Sequence, residues 1–404
     1  MGGVTNMADL PLRDSPAIEV AEMGAGDNMA LVRPKPLQAL AALYGGAVAL
    51  LITGLQPLVL GQLEHEGRLT ASEIGLTAMA ELLMVGIGAA VAGWIFKPRY
   101  LRMIGGAAGM VHALASVAAM AASGLEIVIS RAIAGLAAGI LLWIAMGMIT
   151  RTSQPERWSG SFLTGETLFQ LIVVTTLSTL VVPHFGANGA LAGMAVLSAM
   201  AALFSSLNLD NYPLLVPQHA IPGSRLPMKP LIALLGVFVF LAAMSATWVY
   251  LDQLGAQLNL PATVVGTGMS VFLAFQVAGG ASATWLGSRP PLLPTLGGAS
   301  LLGVLGFLIL AYAPSPWAFL VGTAIFGFVW LFALPYQLLL LVKVDDSRRA
   351  ALQLPAAQLL GSAGGPLLAS FVVGDVDARP AVFLGVAGLV ATFFLFAWSQ
   401  RRAV

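Results

Sequence analysis

The sequence predicts an all-α polytopic membrane protein, with twelve transmembrane helices in two pseudo-symmetric six-helix bundles. Three observations carry this prediction. Of the 404 residues, 58% are hydrophobic and only 9% are charged, against about 25% charged in an ordinary soluble domain. Apolar segments of about 20 residues recur from Leu37 almost to the last residue, each long enough to cross ~30 Å of hydrocarbon at ~1.5 Å per residue. The second half of the chain repeats the first at an offset of 191–192 residues, as from Gly88 to Gly279 and from Gly135 to Gly327.

Residues 1–36 are the most polar stretch. Asp9, Asp14, Glu19, Glu22 and Asp27 lie among Pro and Gly, which reads as a flexible tail. The basic start and short apolar run of a signal peptide are missing. Twelve spans follow, at 37–60, 74–96, 101–122, 125–149, 161–182, 188–208, 230–251, 263–286, 293–313, 316–341, 352–373 and 380–399. They divide into an N-terminal bundle, 37–208, and a C-terminal bundle, 230–399. A Pro-rich linker at 209–229 joins the two, and 400–404 is a second short tail. Gly, Ala and Ser are frequent inside the spans, where small residues let helices approach without a hydrophobic drive. Strand-like alternation is absent, which disfavours a barrel.

Charge placement orients the spans. With the N-terminus in the cytoplasm, sixteen of the nineteen Lys and Arg lie on the cytoplasmic side, among them Lys97, Arg99, Arg102, Arg151, Arg289 and Lys343. Only Arg68 and Arg379 lie outside, and Arg131 falls within a span. The expectation is an integral protein of a bacterial inner membrane with both termini cytoplasmic. The composition excludes a soluble enzyme and a nucleic-acid binder. The chain has no cysteine, so disulfides and thiol chemistry are excluded. Its four histidines (His65, His112, His184, His219) fit no metal-ligand spacing. Neither a phosphate-binding loop nor a nucleophile elbow occurs. No enzyme activity, cofactor, metal or ATP-driven pumping is expected of this chain alone.

The repeat runs through all six pairs of spans. Leu82, Gly88 and Trp94 align with Leu273, Gly279 and Trp285, and Gly105-Gly106-Ala107 with Gly297-Gly298-Ala299. Arg151 and Arg157 align with Lys343 and Arg349. Parallel six-helix halves related by an axis along the membrane normal are a transporter architecture. The fourth span reads Arg131-Ala-Ile-Ala-Gly135-Leu-Ala-Ala-Gly139, which resembles the RxxxGxxxG motif of the major facilitator superfamily. The stretch from Gly93 to Arg102 keeps the basic residues of that family's GxxxD-R/K-x-G loop, with Lys97 at the Asp position. The proline-containing motif of drug/proton antiporters is absent from 161–182. The resemblance implies secondary transport by alternating access, around a cavity lined by spans 1, 4, 7 and 10.

Ionisable groups inside spans are costly and are therefore functional candidates. Glu81 and Arg131 lie at similar depth with opposite sign, and Glu166 lies in span 5. Proton coupling and gating are expected of these three, with Arg131 biasing ionisation of the carboxyls. The competing reading makes Glu81 and Arg131 a static pair. Gln56, Gln170, Trp248, Tyr250, Gln276, Trp330, Tyr336, Gln337 and Gln358 are the substrate-binding candidates, since aromatics with a few amides suit an organic molecule of limited polarity. Glu126 and Asp252 read as interfacial residues near outer helix ends, and His112 as a packing residue. The expected protein is a monomeric, proton-coupled secondary transporter in the lipid bilayer. Its expected substrate is a small organic molecule, an aromatic or a monocarboxylate, and uptake is favoured. Efflux of drugs or metabolites by proton antiport is the alternative. A transporter-like receptor or sensor is the alternative of another class, disfavoured by the short loops.

Overall fold

Inside hydrocarbon there is no water to satisfy a backbone amide, so a spanning segment must bond to itself. Accordingly, every regular element among the described residues of the computed structural model is helical. The structure describes residues 32–152, 155–213, 226–312, 315–345, 349–374 and 377–400. Most of the expected N-terminal tail, the middle of the linker at 214–225 and the tail at 401–404 lie outside the described residues.

The first half comprises α1 (Pro36–His65), α2 (Ala71–Ile95), α3 (Leu101–Ala119), α4 (Leu125–Ile149), α5 (Pro155–Thr176) and α6 (Val182–Phe204). The second comprises α7 (Met228–Val249), the short α8 (Leu251–Gln257), α9 (Ala262–Leu286), α10 (Leu292–Tyr312), α11 (Pro316–Val344), the one-turn α12 (Arg349–Leu352), α13 (Leu354–Ser370) and α14 (Arg379–Ser399). Ten stretches are long and apolar enough to cross a membrane. One of them, Trp158–Leu207, runs 50 residues and reverses at Gly186, whose φ of 58° admits the turn, so it makes two crossings. The 17-residue α13 completes the twelve.

Several ends depart from the expected spans for local reasons. α5 continues into a π turn, Leu177–Val181, immediately before Pro183, which has no N–H to donate. In the second half, α13 is preceded by a break at Gln353, where Pro355 follows. α2 starts at a capping box in which the Thr70 hydroxyl accepts from the Glu73 amide and the Glu73 carboxylate accepts from the Thr70 amide at 2.8 Å. The Glu66 carboxylate accepts from the Ala187 amide at 2.7 Å, capping the helix that restarts after Gly186.

The sequence repeat is also a repeat of contacts. A Cβ on Gly135 of α4 would collide with the Glu81 carbonyl of α2, and one on Gly88 of α2 with the Leu136 carbonyl of α4. In the second half, Gly327 of α11 meets the Phe272 carbonyl of α9, and Gly279 of α9 meets the Phe328 carbonyl of α11. Each of the four positions in one crossing maps onto the other at the 191–192 offset. The α2–α4 and α9–α11 pairs are therefore the same backbone-to-backbone crossing made twice. Gly135→Val or Gly327→Val should lower stability by about 1–3 kcal/mol through overpacking. Gly298→Ala, at a position with nothing within 4 Å, should not. Thermal unfolding in detergent, followed by size-exclusion profile, checks the difference.

Candidate functional site

The α2–α4 crossing places Glu81 and Arg131 side by side. Arg131 Nε donates to Glu81 Oε2 at 3.0 Å, and its Nη2 donates to Glu81 Oε1. The remaining nitrogen, Nη1, donates to the Ser116 hydroxyl of α3 at 3.1 Å. Ser116 donates in turn to the His112 carbonyl at 3.0 Å. The His112 ring lies 2.6 Å from the Ser198 hydroxyl of α6. All five residues are buried, with Arg131 at 0% and Glu81 at 1% exposure. The sequence-identified ion pair is thus the centre of a polar chain running α2–α4–α3–α6.

The equivalent positions of the second half are filled differently. Phe272 stands at the Glu81 position, Phe307 at the Ser116 position and Thr323 at the Arg131 position. Phe326 packs edge-on to both Phe272 and Phe307, with ring centroids 4.7 and 4.9 Å apart. Trp248 of α7 stacks on Phe272 at 3.9 Å and 20°. Trp330 stands edge-on to Phe272 at 5.6 Å. A buried ionic network on one side is matched by an aromatic cluster on the other.

Glu166 lies elsewhere, between α5 and α1. Gln170, one turn along α5, donates its amide to the Glu166 carboxyl, to the Leu50 carbonyl at 2.9 Å and to the Thr53 hydroxyl at 2.9 Å. Trp248 crosses from the other half and donates its indole N–H to the Thr53 carbonyl at 2.7 Å. Thr53, which the sequence reading passed over, therefore joins the carboxyl-bearing helix pair to the aromatic cluster. Glu81 and Glu166 are not brought together: each is bonded to a different partner.

The other substrate-site candidates are spread over α1, the end of α7, α9, α11 and α13. Gln56 of α1 is 1% exposed, and its side-chain nitrogen has no hydrogen-bond partner. Tyr336 and Gln337 of α11 are buried, and the Tyr336 hydroxyl and both Gln337 amide atoms also lack one. Tyr336 borders a groove of about 330 Å³ between α9 and α11 that includes Ala283, Ser288 and Leu339. Gln276 is buried on α9, Gln358 is half-buried on α13, and Trp330 is half-buried beside the aromatic cluster. Tyr250 is at the contact between the halves, its hydroxyl donating to the Ala71 carbonyl at 2.9 Å.

That contact gathers at the face carrying the α1–α2 turn. Besides Trp248–Thr53 and Tyr250–Ala71, Thr175 and Ser270 hydroxyls pair at 2.8 Å. A Cβ on Gly75 would lie 2.6 Å from the Tyr250 hydroxyl and 2.7 Å from Ser370, so α2 and α13 touch closely there. His65 and Asp252, from opposite halves, stand 3.5 Å apart on the same face. No local pattern along the chain marks these pairs, whose members are between 95 and 195 residues apart where they are hydrogen-bonded.

Solved structures share this architecture. The nucleoside transporter NupG is similar over 91% of this chain and 100% of its own, with a TM-score of 0.71 and 14% identity. A D-xylose–proton symporter is similar over 91% of this chain and 99% of its own, with a TM-score of 0.70 and 14% identity. The transporter FucP in its outward conformation covers 91% and 99%, with a TM-score of 0.59 and 18% identity. No curated protein sequence matches the chain. The sequence profile of the Major Facilitator Superfamily matches residues 39–354. With twelve crossings in two equivalent halves, the chain belongs to that superfamily.

Proposed function

We propose that this protein is a monomeric, proton-coupled secondary transporter that takes up a small organic molecule across a bacterial inner membrane. One observation carries the reading: the Glu166 carboxyl is wired through Gln170 and Thr53 to Trp248, at the junction of the two halves. A carboxyl that gains or loses a proton there changes what Gln170 and Thr53 can bond. Trp248 is the second half's contact to that same site. Alternating access is the rocking of one half on the other about such a junction.

The Lys/Arg asymmetry supports placing the α1–α2 face outside and the opposite face in the cytoplasm. The contacts described above then close the outer side, and the arrangement is inward-facing. The half-buried Trp330, edge-on to the buried Trp248–Phe272 stack, supports a substrate with an aromatic or other flat apolar body. The buried amides of Gln56 and Gln337, with the Tyr336 hydroxyl, supply polar partners within the membrane. A nucleoside and a sugar are the cargoes named for two similar structures, and both are small polar organic molecules. Arg131 has its guanidinium engaged by Glu81 and Ser116, so it serves better as a tie between helices than as a lure for a monocarboxylate.

Two outcomes test this division of roles. In proteoliposomes screened with nucleosides, sugars and aromatic acids, Glu166→Gln should lose accumulation driven by a pH gradient and keep substrate exchange at equal pH. Unchanged accumulation would remove Glu166 from the coupling step. Arg131→Met should destabilise the protein by about 3–5 kcal/mol, because it strands the Glu81 charge in the interior. The double variant Glu81→Leu/Arg131→Met should recover most of that loss, as read by thermal unfolding.

A further inference from the structure

Between the two halves, on the α1–α2 face, the last turn of α1 meets α8. Gly61 faces the Asp252 side chain so closely that an added Cβ would lie 2.6 Å from the Asp252 Cβ. The approach drives the Asp252 carboxyl into the interface, where the residue is 7% exposed. Its Oδ2 accepts no hydrogen bond. Its nearest titratable partner is His65 Nε2, 3.5 Å away on the opposite half, whose side chain is 38% exposed. Glu64 lies beside His65, 3.8 Å from its Nε2.

Among the described residues, the other titratable groups at α8 are the Tyr250 phenol at its start and Asp377, which accepts from Gln257 at its last turn at 2.8 Å. α8 packs against α1, α7 and α9. α9 carries no Asp, Glu, His, Lys or Arg at all, and α7 carries only Lys229, at its far end. Arg68 is turned away, its guanidinium held by the Ala119 and Ala122 carbonyls and Asn188. A carboxyl enclosed in this way has few donors when ionised, which favours its protonated form.

We propose that Asp252, paired with His65, is a proton-binding latch between the halves, whose protonation holds the α1–α2 face shut. The proton comes from water on that face, adds to the Asp252 carboxylate and returns to water when the face opens. The latch rests on the reading that the halves rock apart at this face, but it is independent of Glu166 and of the substrate.

The sign follows from burial. In the closed arrangement the Asp252 carboxyl is pushed up to about 6 from the ordinary 3.8, first by desolvation, with His65 lowering it and Glu64 raising it. Opening rehydrates the carboxyl and returns it toward 3.8. Closing therefore takes up a proton. The stabilisation of the closed face is full below 3.8 and is lost as pH rises through about 6.

The chain has no cysteine, so spin labels can be placed at will. Ser72→Cys on α2 and Ala256→Cys on α8 put exposed labels on opposite sides of the junction. Their distance distribution, measured without substrate in lipid nanodiscs, should shift from short to long as pH rises through about 6. Asp252→Asn, neutral at every pH, should stay short throughout. His65→Gln should move the midpoint up and Glu64→Gln should move it down, because the two neighbours act on the carboxyl with opposite sign. Glu166→Gln should leave the titration in place. A distribution that ignores pH overturns the latch, as does a response kept in Asp252→Asn or midpoints that move together in the His65 and Glu64 variants. A response kept in Asp252→Asn and lost in Glu166→Gln overturns the latch while leaving the proposed coupling role of Glu166 intact.

Discussion

The close approach of two backbones, α4 lying on α2 through Gly135 and Gly88, is the constraint on which the rest is built. Without side chains at those two positions, each helix presents bare backbone to a carbonyl of the other. Between membrane helices no hydrophobic effect drives association, so packing of this kind and interhelical hydrogen bonds must hold them. The crossing fixes the depth and rotation of both helices. It thereby brings the Arg131 guanidinium onto the Glu81 carboxylate and aims its remaining nitrogen at Ser116 on α3.

The second half makes the same crossing through Gly327 and Gly279 and puts something else in it. Where the first half buries an ion pair and its hydroxyl and imidazole partners, the second buries Phe272, Phe307 and Phe326. Removing one charge from a buried pair leaves the other uncompensated, whereas rings pack with no such all-or-none requirement. The ionic half is thus a rigidly specified unit. The aromatic half holds a buried ring cluster, extended by Trp248 to the contact with α1. Equivalent scaffolds carry different chemistry, polar on one side of the junction and aromatic on the other.

The halves are joined by packing of α2 on α13 and of α5 on α9, with a few polar contacts gathered at the α1–α2 face. An indole N–H, a phenol, a hydroxyl pair and a histidine–aspartate pair cross the interface, and two of the acceptors are main-chain carbonyls. Bonds of this kind are each worth only about 0.5–1.5 kcal/mol net.

The sequence by itself determined the class, the crossings and the repeat. Span length and charge scarcity are set by the thickness and polarity of the bilayer, and both are local properties of a stretch of chain. The pairing of Glu81 with Arg131 was half legible, because equal depth and opposite charge can be counted along two helices. Whether that pair faces a cavity cannot be counted, since it depends on helix rotation, and the tertiary structure encloses it between α2, α3 and α4. Thr53 carries no charge and no motif, so only the meeting of α1, α5 and α7 reveals it as a junction. Asp252 read as an ordinary residue at a helix end. Its neighbours His65 and Gly61 lie nearly two hundred residues earlier, and it is the docking of the two halves that takes its carboxyl out of water.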